Sequence, residues 1–171
     1  SYGRVLEALD HALRRAPYLM GLRPGASDFA IYGQLTQLVT FDPSAAAVSL
    51  RVAPRVCAWV EIMEDRSGVE PEEDGWATRQ ETEEHLAPLL TELGRCYTPF
   101  LLANSKGVQD GDDEATITVG DATWTQQPFP YQAKCLAVLR EGYQSLDEGD
   151  RAWVDGLLSA GGADRLFSDT N

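Results

Sequence analysis

Apolar residues recur at helical spacing along the first part of the chain. In residues 2–15 they occupy one face and charged residues the others, which predicts an amphipathic helix that ends near Pro17. The segment from Asp28 to about Thr40 is apolar nearly all round, a pattern typical of a helix in the middle of a bundle. The assignment of this chain to any family depends on Phe29 through Val39 forming a central helix that its neighbours bury on all sides.

Helix-start signals predict the elements that follow. Asp42-Pro43 offers a cap and a proline at the first helical position, so a short helix should run through Leu50. Pro54 should open another helix, whose apolar stripe consists of Val56, Trp59, Val60 and Met63. After a charged loop, Thr78 and Glu81 fit a capping box, in which each side chain satisfies a backbone donor of the other residue.

The next helix should be kinked or divided by Pro88 and Pro99, because proline lacks the amide hydrogen that a helix needs. Residues 104–115 are polar and acidic, which predicts an exposed loop. The hydrophobic period then changes from helical to alternating across residues 116–125. With Gly120-Asp121 in the middle, this stretch predicts a β-hairpin with a two-residue turn, lying against the helices.

Two more helices should complete the chain. One should span residues 129–143, with Leu136, Leu139 and Cys135 on its apolar side, and Ser145 with Glu148 suggests a capping box for the last helix. The predicted fold is therefore an all-α helical bundle with one small hairpin. We expect a helical core in residues 1–66 and a helical extension in residues 67–171, packed on the same domain.

Composition narrows the classes of function. The 171 residues carry a formal net charge of -13, which argues against nucleic acid and anionic membranes as partners. No apolar run approaches the roughly 18 residues that span a bilayer, so the expectation is a cytoplasmic protein. The cysteines lack metal-ligand spacing and are expected to be buried thiols: Cys57, Cys96 and Cys135.

Candidate catalytic and metal motifs fail when their spacing is tested. Counted from Asp110, an EF-hand loop needs glycine at the sixth position and glutamate at the twelfth, where this chain has Ala115 and Asp121. The acidic run from Glu70 to Glu84 is predicted to be a solvated face. His11 and His85 are expected at the surface or boundary of the fold. We therefore assign no catalytic, cofactor-binding or metal-binding residue.

Some aromatic residues could instead line an apolar pocket. Most tryptophans and tyrosines of a globular chain are core or loop anchors, and sequence does not separate those two roles. The candidates for a pocket are Trp76, Tyr97, Trp124 and Tyr131.

Two segments contain distinctive motifs, which are Tyr18-Leu19-Met20-Gly21, Leu22-Arg23-Pro24-Gly25, Asp28-Phe29-Ala30, Tyr32-Gly33-Gln34-Leu35 and Pro54-Arg55-Val56-Cys57-Ala58-Trp59. Together these segments resemble the C-terminal helical domain of bacterial glutathione transferases. The resemblance covers about residues 5–65, and residues 67–171 resemble an extension seen in a bacterial subgroup. In that family a Ser or Thr caps the central helix, and an Asp three residues later returns the bond. Here Gly25 occupies the cap position and Asp28 matches the Asp, so both are expected to be structural.

The resemblance also implies what a parent protein would need. The family's thioredoxin-like domain binds glutathione and supplies the catalytic residue, and this sequence does not contain it. The chain opens at Ser1 in what reads as mid-helix, which leaves open a fragment, a processed product or a recombinant expression product. The expected partners are therefore a thioredoxin-like domain or a second copy, with glutathione as the co-substrate of the parent and no cofactor in this chain. The alternatives are a protein-interaction module and a binder of small apolar molecules.

Overall fold

The structure is a computed structural model that describes residues 2–71, 73–119 and 122–168. Contacts between residues divide the chain into two compact units, Ser1–Leu89 and Leu90–Asn171. The predicted boundary after residue 66 stays a prediction. Helices dominate both units, and the described residues contain a single two-stranded sheet. An all-α fold with one hairpin is therefore confirmed at this level.

The first unit is built from helices that are joined by connections of very different length. Its elements are α1 (Tyr2–Leu13), α2 (Ala26–Thr36), a π-helical turn (Gln37–Phe41), α3 (Pro43–Val52), α4 (Pro54–Glu64) and the start of α5 (Arg79–Glu92). Asp42 caps α3 as predicted, because its Oδ1 accepts the backbone N–H groups of Ser44 and Ala45 at 2.8 and 3.0 Å. The Thr78–Glu81 capping box is also confirmed: the Thr78 N–H lies 2.8 Å from Glu81 Oε2.

The core of the first unit lies where α1 and α4 meet. The predicted stripe of α4 is confirmed, since all four of its residues are buried with Leu6 and Leu9 of α1. Removing large aliphatic and aromatic side chains from water is the main favourable term in folding. The core cluster consists of Leu6, Leu9, Ala12, Leu13, Tyr18, Leu19, Leu35, Ala53, Val56, Trp59, Val60 and Met63.

The prediction that α2 is buried on all sides is wrong. The segment is helical, but only Asp28 and Leu35 of α2 are buried, and Phe29 is 48% exposed. In this unit α2 packs against α4 on one side. A pattern that is apolar all round shows that a helix tolerates burial, but it does not supply the neighbours that would bury it.

The prolines affect the long helix differently from one another. Pro88 lies inside α5, which continues through it to Glu92. A π-helical turn, Leu93–Tyr97, then leads into α6 (Thr98–Asp110), where Pro99 occupies the first turn. Helical bonding continues through this π-helical turn, since the Thr98 N–H donates to the Leu93 carbonyl and Glu92, Tyr97 and Thr98 have right-handed helical backbone. The regular α-helix is therefore interrupted by the π-helical turn before Pro99 and not at Pro88.

The predicted loop over residues 104–115 is wrong, because α6 continues to Asp110. Asn104 and Gly107 are buried, and Gly111 ends the helix in the left-handed conformation at φ 71°. Polarity predicts exposure on average, whereas Asn104 bonds to the backbone of Phe129 inside the second unit. Only the short stretch from Gly111 to Glu114 is loop.

The hairpin is confirmed and is anchored on α6. Its strands are β1 (Ala115–Val119) and β2 (Ala122–Gln126), paired antiparallel with Ile117 opposite Trp124. The predicted turn residues, Gly120-Asp121, lie outside the described residues. Ala115 is buried, and its Cβ lies 3.6 Å from the place that a Cβ on Gly107 would occupy. A Cβ on Gly107 would also lie 2.9 Å from Pro128 Cγ, so the absence of a side chain there lets the segment after the hairpin approach α6.

The last helices are α7 (Pro130–Gln144) and α8 (Glu148–Gly161), followed by a 3-10 turn (Asp164–Leu166). Leu136 is buried as expected, but Leu139 is exposed. The predicted Ser145–Glu148 capping box is wrong, since Asp147 caps α8 by accepting the Asp150 N–H at 2.8 Å. The Ser145 hydroxyl instead donates to the Gly142 carbonyl at the end of α7.

Two glycine-lined backbone segments touch within the second unit. A Cβ built on Gly94, in the π-helical turn, would lie 2.0 Å from the carbonyl oxygen of Gly161 at the end of α8. A Cβ on Gly161 would in turn lie 2.8 Å from Leu90 Cβ. No side chain fits at that separation, so glycine is required on both sides of the contact.

The first prediction concerns this contact. Gly94→Ala should lower the free energy of unfolding by about 1–3 kcal/mol, because the backbones must separate to admit the methyl group. Gly156→Ala is the matched control: this glycine of α8 is exposed, and nothing lies within 4 Å of its Cβ position. It should raise the free energy of unfolding by about 0.5–1 kcal/mol. Urea denaturation checks both variants, and equal effects would contradict the close contact.

Candidate functional site

The start of α2 is organised by one buried carboxylate. Asp28 is fully buried; its Oδ2 accepts the Gly25 N–H, and its Oδ1 accepts the Leu19 N–H, both at 2.9 Å. Gly25 is the N-cap, with extended backbone at φ -107° and ψ 177°. We call this group of Leu19, Gly25 and Asp28 the Asp28 clamp. The structural role predicted for Gly25 and Asp28 is in keeping with these bonds.

The Asp28 clamp fixes the loop that precedes α2. Tyr18 and Leu19 are buried in the core cluster, and the hydroxyl of Tyr18 accepts a hydrogen bond from the Arg66 side chain. From α4, the indole N–H of Trp59 donates to the Pro17 carbonyl at 3.1 Å. The loop is therefore held from two helices, by a carboxylate on one and an indole on the other.

A second loop docks on the same segment through backbone bonds. The Leu22 N–H donates to the Gly75 carbonyl and the Ala77 N–H donates to the Met20 carbonyl, both at 2.7 Å. Between them Gly21 has φ +128°, and a Cβ there would lie 2.5 Å from the Gly75 oxygen. Sequence reasoning missed this pairing, because neither loop has a periodic pattern. The available signals were Gly21 and Gly75 themselves.

Trp76, one of the predicted pocket residues, lies over the start of α2. Its Cζ3 atom is 3.4 Å from the Cβ position of Gly25, and the Arg23 guanidinium carbon lies 4.6 Å from the ring centroid. The ring is half exposed. Trp76 therefore lies over the Asp28 clamp, and the Arg23 guanidinium makes a cation–π contact with its ring.

The other three predicted pocket residues belong to the second unit and are exposed. Tyr97 lies in the π-helical turn beside Phe100, with ring centroids 6.4 Å apart. Tyr131 lies beside Phe129 at 6.2 Å, and Trp124 is on the hairpin. Burial of part of the ring, together with the nearby Cys135 thiol, raises the pKa of Tyr97. The pocket itself stays a prediction.

Asn104 is a positioning residue that sequence reasoning missed. It is fully buried in α6, its Oδ1 accepts the Phe129 N–H at 2.7 Å, and its Nδ2 donates to the Phe129 carbonyl at 3.1 Å. This pair of bonds fixes the chain just before α7 and so orients Phe129 and Tyr131. No sequence pattern distinguishes such an asparagine from a loop residue.

The histidines and cysteines differ in how deeply they are buried. His11 is partly buried as expected, and its Nε2 contacts the Glu84 carbonyl at 3.2 Å. The surface or boundary position predicted for His85 is wrong: it is buried on α5, on the same face as the buried Thr82. Cys57 is buried, while Cys96 and Cys135 are partly buried.

Neither a candidate metal-binding cluster nor a candidate membrane-spanning helix occurs in the described ranges. Residues 2–71, 73–119 and 122–168 contain no group of three or more His, Cys, Asp or Glu side chains placed to hold a metal ion. In the same ranges, no helix combines the length and the apolar character that crossing a membrane requires.

Comparisons of the chain with protein-family models, curated proteins and solved structures gave no match. The resemblance to glutathione transferases therefore rests on the sequence motifs alone.

The second prediction concerns the Asp28 clamp. Asp28→Ala leaves the N–H groups of Leu19 and Gly25 without their acceptor, so the free energy of unfolding should fall by about 3 kcal/mol. Gly25→Ser is the companion variant, and it should raise stability by a few tenths of a kcal/mol because serine is a better cap. Glu61→Ala, on an exposed carboxylate, should change it by less than about 0.5 kcal/mol. A cost below about 1 kcal/mol for Asp28→Ala would contradict the clamp.

The third prediction compares the carboxylates of the two capping boxes as pH changes. Burial raises the pKa of Asp28 above 3.8, although the N–H groups of Leu19 and Gly25 act in the opposite direction. Its contribution to stability should therefore be present below about pH 3.8 and lost as pH rises through the raised pKa. The N–H and hydroxyl of Thr78 lower the pKa of the exposed Glu81 below 4.5. Its contribution should be present above about pH 4.5 and lost as pH falls.

The measurement is the free energy of unfolding of wild type, Asp28→Asn and Glu81→Gln between about pH 3.5 and pH 6.5. With rising pH, the advantage of wild type over Asp28→Asn should shrink, and its advantage over Glu81→Gln should grow. If both differences in the free energy of unfolding changed in the same direction with pH, the pKa values of Asp28 and Glu81 would not be shifted in opposite directions, which would contradict the prediction.

Proposed function

We propose that this chain forms the helical, substrate-pocket part of a glutathione-transferase-like protein and does not catalyse conjugation alone. The observation that carries the proposal is the Asp28 clamp. The resemblance implies an Asp three residues after the cap that bonds back to the cap's backbone. In the chain, Asp28 Oδ2 accepts the Gly25 N–H at 2.9 Å and the side chain is fully buried.

The second motif supports the proposal independently. Pro54 opens α4, and Val56 and Trp59 of the same motif are buried in the core. Trp59 bonds to the Pro17 carbonyl, two residues from the Leu19 amide that Asp28 holds. The two segments that carry the resemblance therefore converge on one loop, which sequence spacing alone does not require.

The proposal places the pocket surface at exposed apolar side chains of α2 and of the π-helical turn that follows it. Because α2 is not covered all round, the burial on which the family assignment depended is absent, and the proposal now rests on how the helix starts. Phe29 and Phe41 offer apolar surface at 48% and 67% exposure. In the proposed parent, a thioredoxin-like domain binds glutathione, whose thiolate attacks an electrophilic apolar substrate. This chain would shape the apolar side of that pocket in a cytoplasmic enzyme.

The same exposed residues favour the second candidate, a protein-interaction module. Large apolar side chains at the surface mark contact sites when they cluster. Those exposed in the first unit are Leu22, Phe29, Phe41, Leu50, Ile62, Val69 and Trp76. An interaction module would need no glutathione-binding domain, so the coding sequence that precedes Ser1 separates the two candidates.

The fourth prediction tests the proposal in two ways. The coding sequence upstream of Ser1 should encode, in frame, a thioredoxin-like βαβ segment. The chain alone should not accelerate conjugation of glutathione with 1-chloro-2,4-dinitrobenzene above the buffer rate, whereas the longer product should do so.

Either of two results would overturn the proposal. One is an upstream domain of another fold, or a stop codon directly before Ser1. The other is conjugation by the purified chain that co-elutes with it in gel filtration and is lost in a variant of the chain. The Asp28→Ala variant is not suitable for that control, because its fold is expected to be weakened.

A further inference from the structure

The outer strand of the hairpin is exposed along most of its length. β2 pairs with β1 on one side, and in the part of the chain that the structure describes the sheet has no third strand. Ala122, Thr123, Trp124 and Thr125 are all exposed. One edge of β2 is therefore open to solvent.

The register shows which backbone groups reach this edge. In a hairpin with a two-residue turn, the pair next to the turn exchanges both bonds, and bonded and non-bonded pairs then alternate. Val119 and Ala122 form the pair next to the turn. Thr123 and Thr125 therefore direct their N–H and C=O groups away from β1.

A side-chain contact agrees with this assignment. Side chains approach most closely in the non-bonded pairs of an antiparallel sheet. Thr116 and Thr125 form such a pair, and their hydroxyl oxygens are 2.9 Å apart. On the opposite face of the sheet, Trp124 lies across from Ile117 and is 60% exposed.

This edge lacks the features that normally prevent another strand from pairing. Natural edge strands are protected by charged side chains, proline or bulges. β2 reads Ala-Thr-Trp-Thr-Gln, without a charge or a proline, and it pairs with β1 residue for residue. The open groups of Thr123 and Thr125 are thus available to an added strand.

Charge indicates what the added strand should contain. The exposed carboxylates of Asp112, Asp113 and Glu114 precede β1, at the end of the sheet where Ala115 lies opposite Gln126. Lys106 bonds to Asp110 and lies within electrostatic range of Asp112. The exposed indole of Trp124 offers a face for a cation.

We propose that the open edge of β2 binds an extended, Lys- or Arg-bearing peptide segment of a partner protein by β-strand addition. Main-chain bonds to Thr123 and Thr125 hold the peptide, its cations contact the indole of Trp124, and the carboxylates that precede β1 attract these cations electrostatically. A second copy of the chain is a poorer occupant, because each copy carries a net charge of -13. This inference goes beyond the proposed function, since no step in it involves glutathione or the first unit.

The fifth prediction is tested with the full chain and the labelled synthetic peptide acetyl-Arg-Thr-Val-Arg-Val-Thr-Arg-amide. Fluorescence anisotropy should show binding that weakens with added salt. A peptide with Glu in place of each Arg should bind at least about tenfold more weakly. In amide NMR of the unmodified chain, the Thr123 and Thr125 N–H groups should gain protection from exchange, and the Thr116 and Thr118 N–H groups should not.

Proline variants distinguish the two edges of the hairpin. Thr123→Pro removes an outward N–H without removing a bond to β1, and it should weaken peptide binding about tenfold or more. Thr118→Pro is the matched control: this exposed residue is paired with Thr123, and it faces the opposite edge. It should leave binding unchanged. Glu114→Gln combined with Asp113→Asn should weaken binding and reduce its salt dependence.

Three results would overturn the proposal. The peptide could fail to bind, or Thr118→Pro could weaken binding as much as Thr123→Pro does. A concentration-dependent dimer that Thr123→Pro abolishes would also overturn it, because the edge would then bind a second copy. The NMR readout needs no substitution, so a variant that fails to fold does not prevent the test.

Discussion

The first unit depends on a buried carboxylate that is satisfied only when two separate pieces of backbone are in place. Removing the Asp28 carboxylate from water costs free energy unless its oxygens find hydrogen-bond partners in the protein. Its oxygens recover part of this cost through the N–H groups of Leu19 and Gly25 and through the positive end of α2, and the pKa of Asp28 stays raised because burial has the larger effect. The loop and the helix must therefore form together. Trp59, bonded to the Pro17 carbonyl, extends the same requirement to α4.

Local chemistry made the helix starts at Asp42, Thr78 and Asp28 predictable, because each cap is a bond between residues close in sequence. The stripe of α4 and the hairpin register were predictable for a similar reason, since both follow from side-chain period. In the candidate site, the bond from Gly25 to Asp28 could be anticipated from three-residue spacing. The bond from Leu19 could not, because it crosses a loop without a pattern.

The wrong predictions have one cause in common, which is that the polarity of a residue does not determine whether it is buried. Asn104 is polar yet fully buried, because both ends of its amide bond to the backbone of Phe129. His85 is titratable yet buried, and Phe29 is apolar yet half exposed. Hydrophobicity determines which arrangement is favourable on average. The position of a single residue depends on whether a neighbour or a bonding partner is available, and that information is tertiary.

Close backbone contacts are the part of this fold that periodicity could not reveal. Gly21, Gly94 and Gly107 each lie where a Cβ would come within 3.0 Å of another atom. These positions join a loop to a loop, a π-helical turn to the end of α8, and α6 to the segment after the hairpin. The hydrophobic pattern does not identify such a glycine, because glycine also occurs in turns and helix caps. Contacts of this kind therefore require coordinates, whereas caps and stripes can be predicted from the sequence.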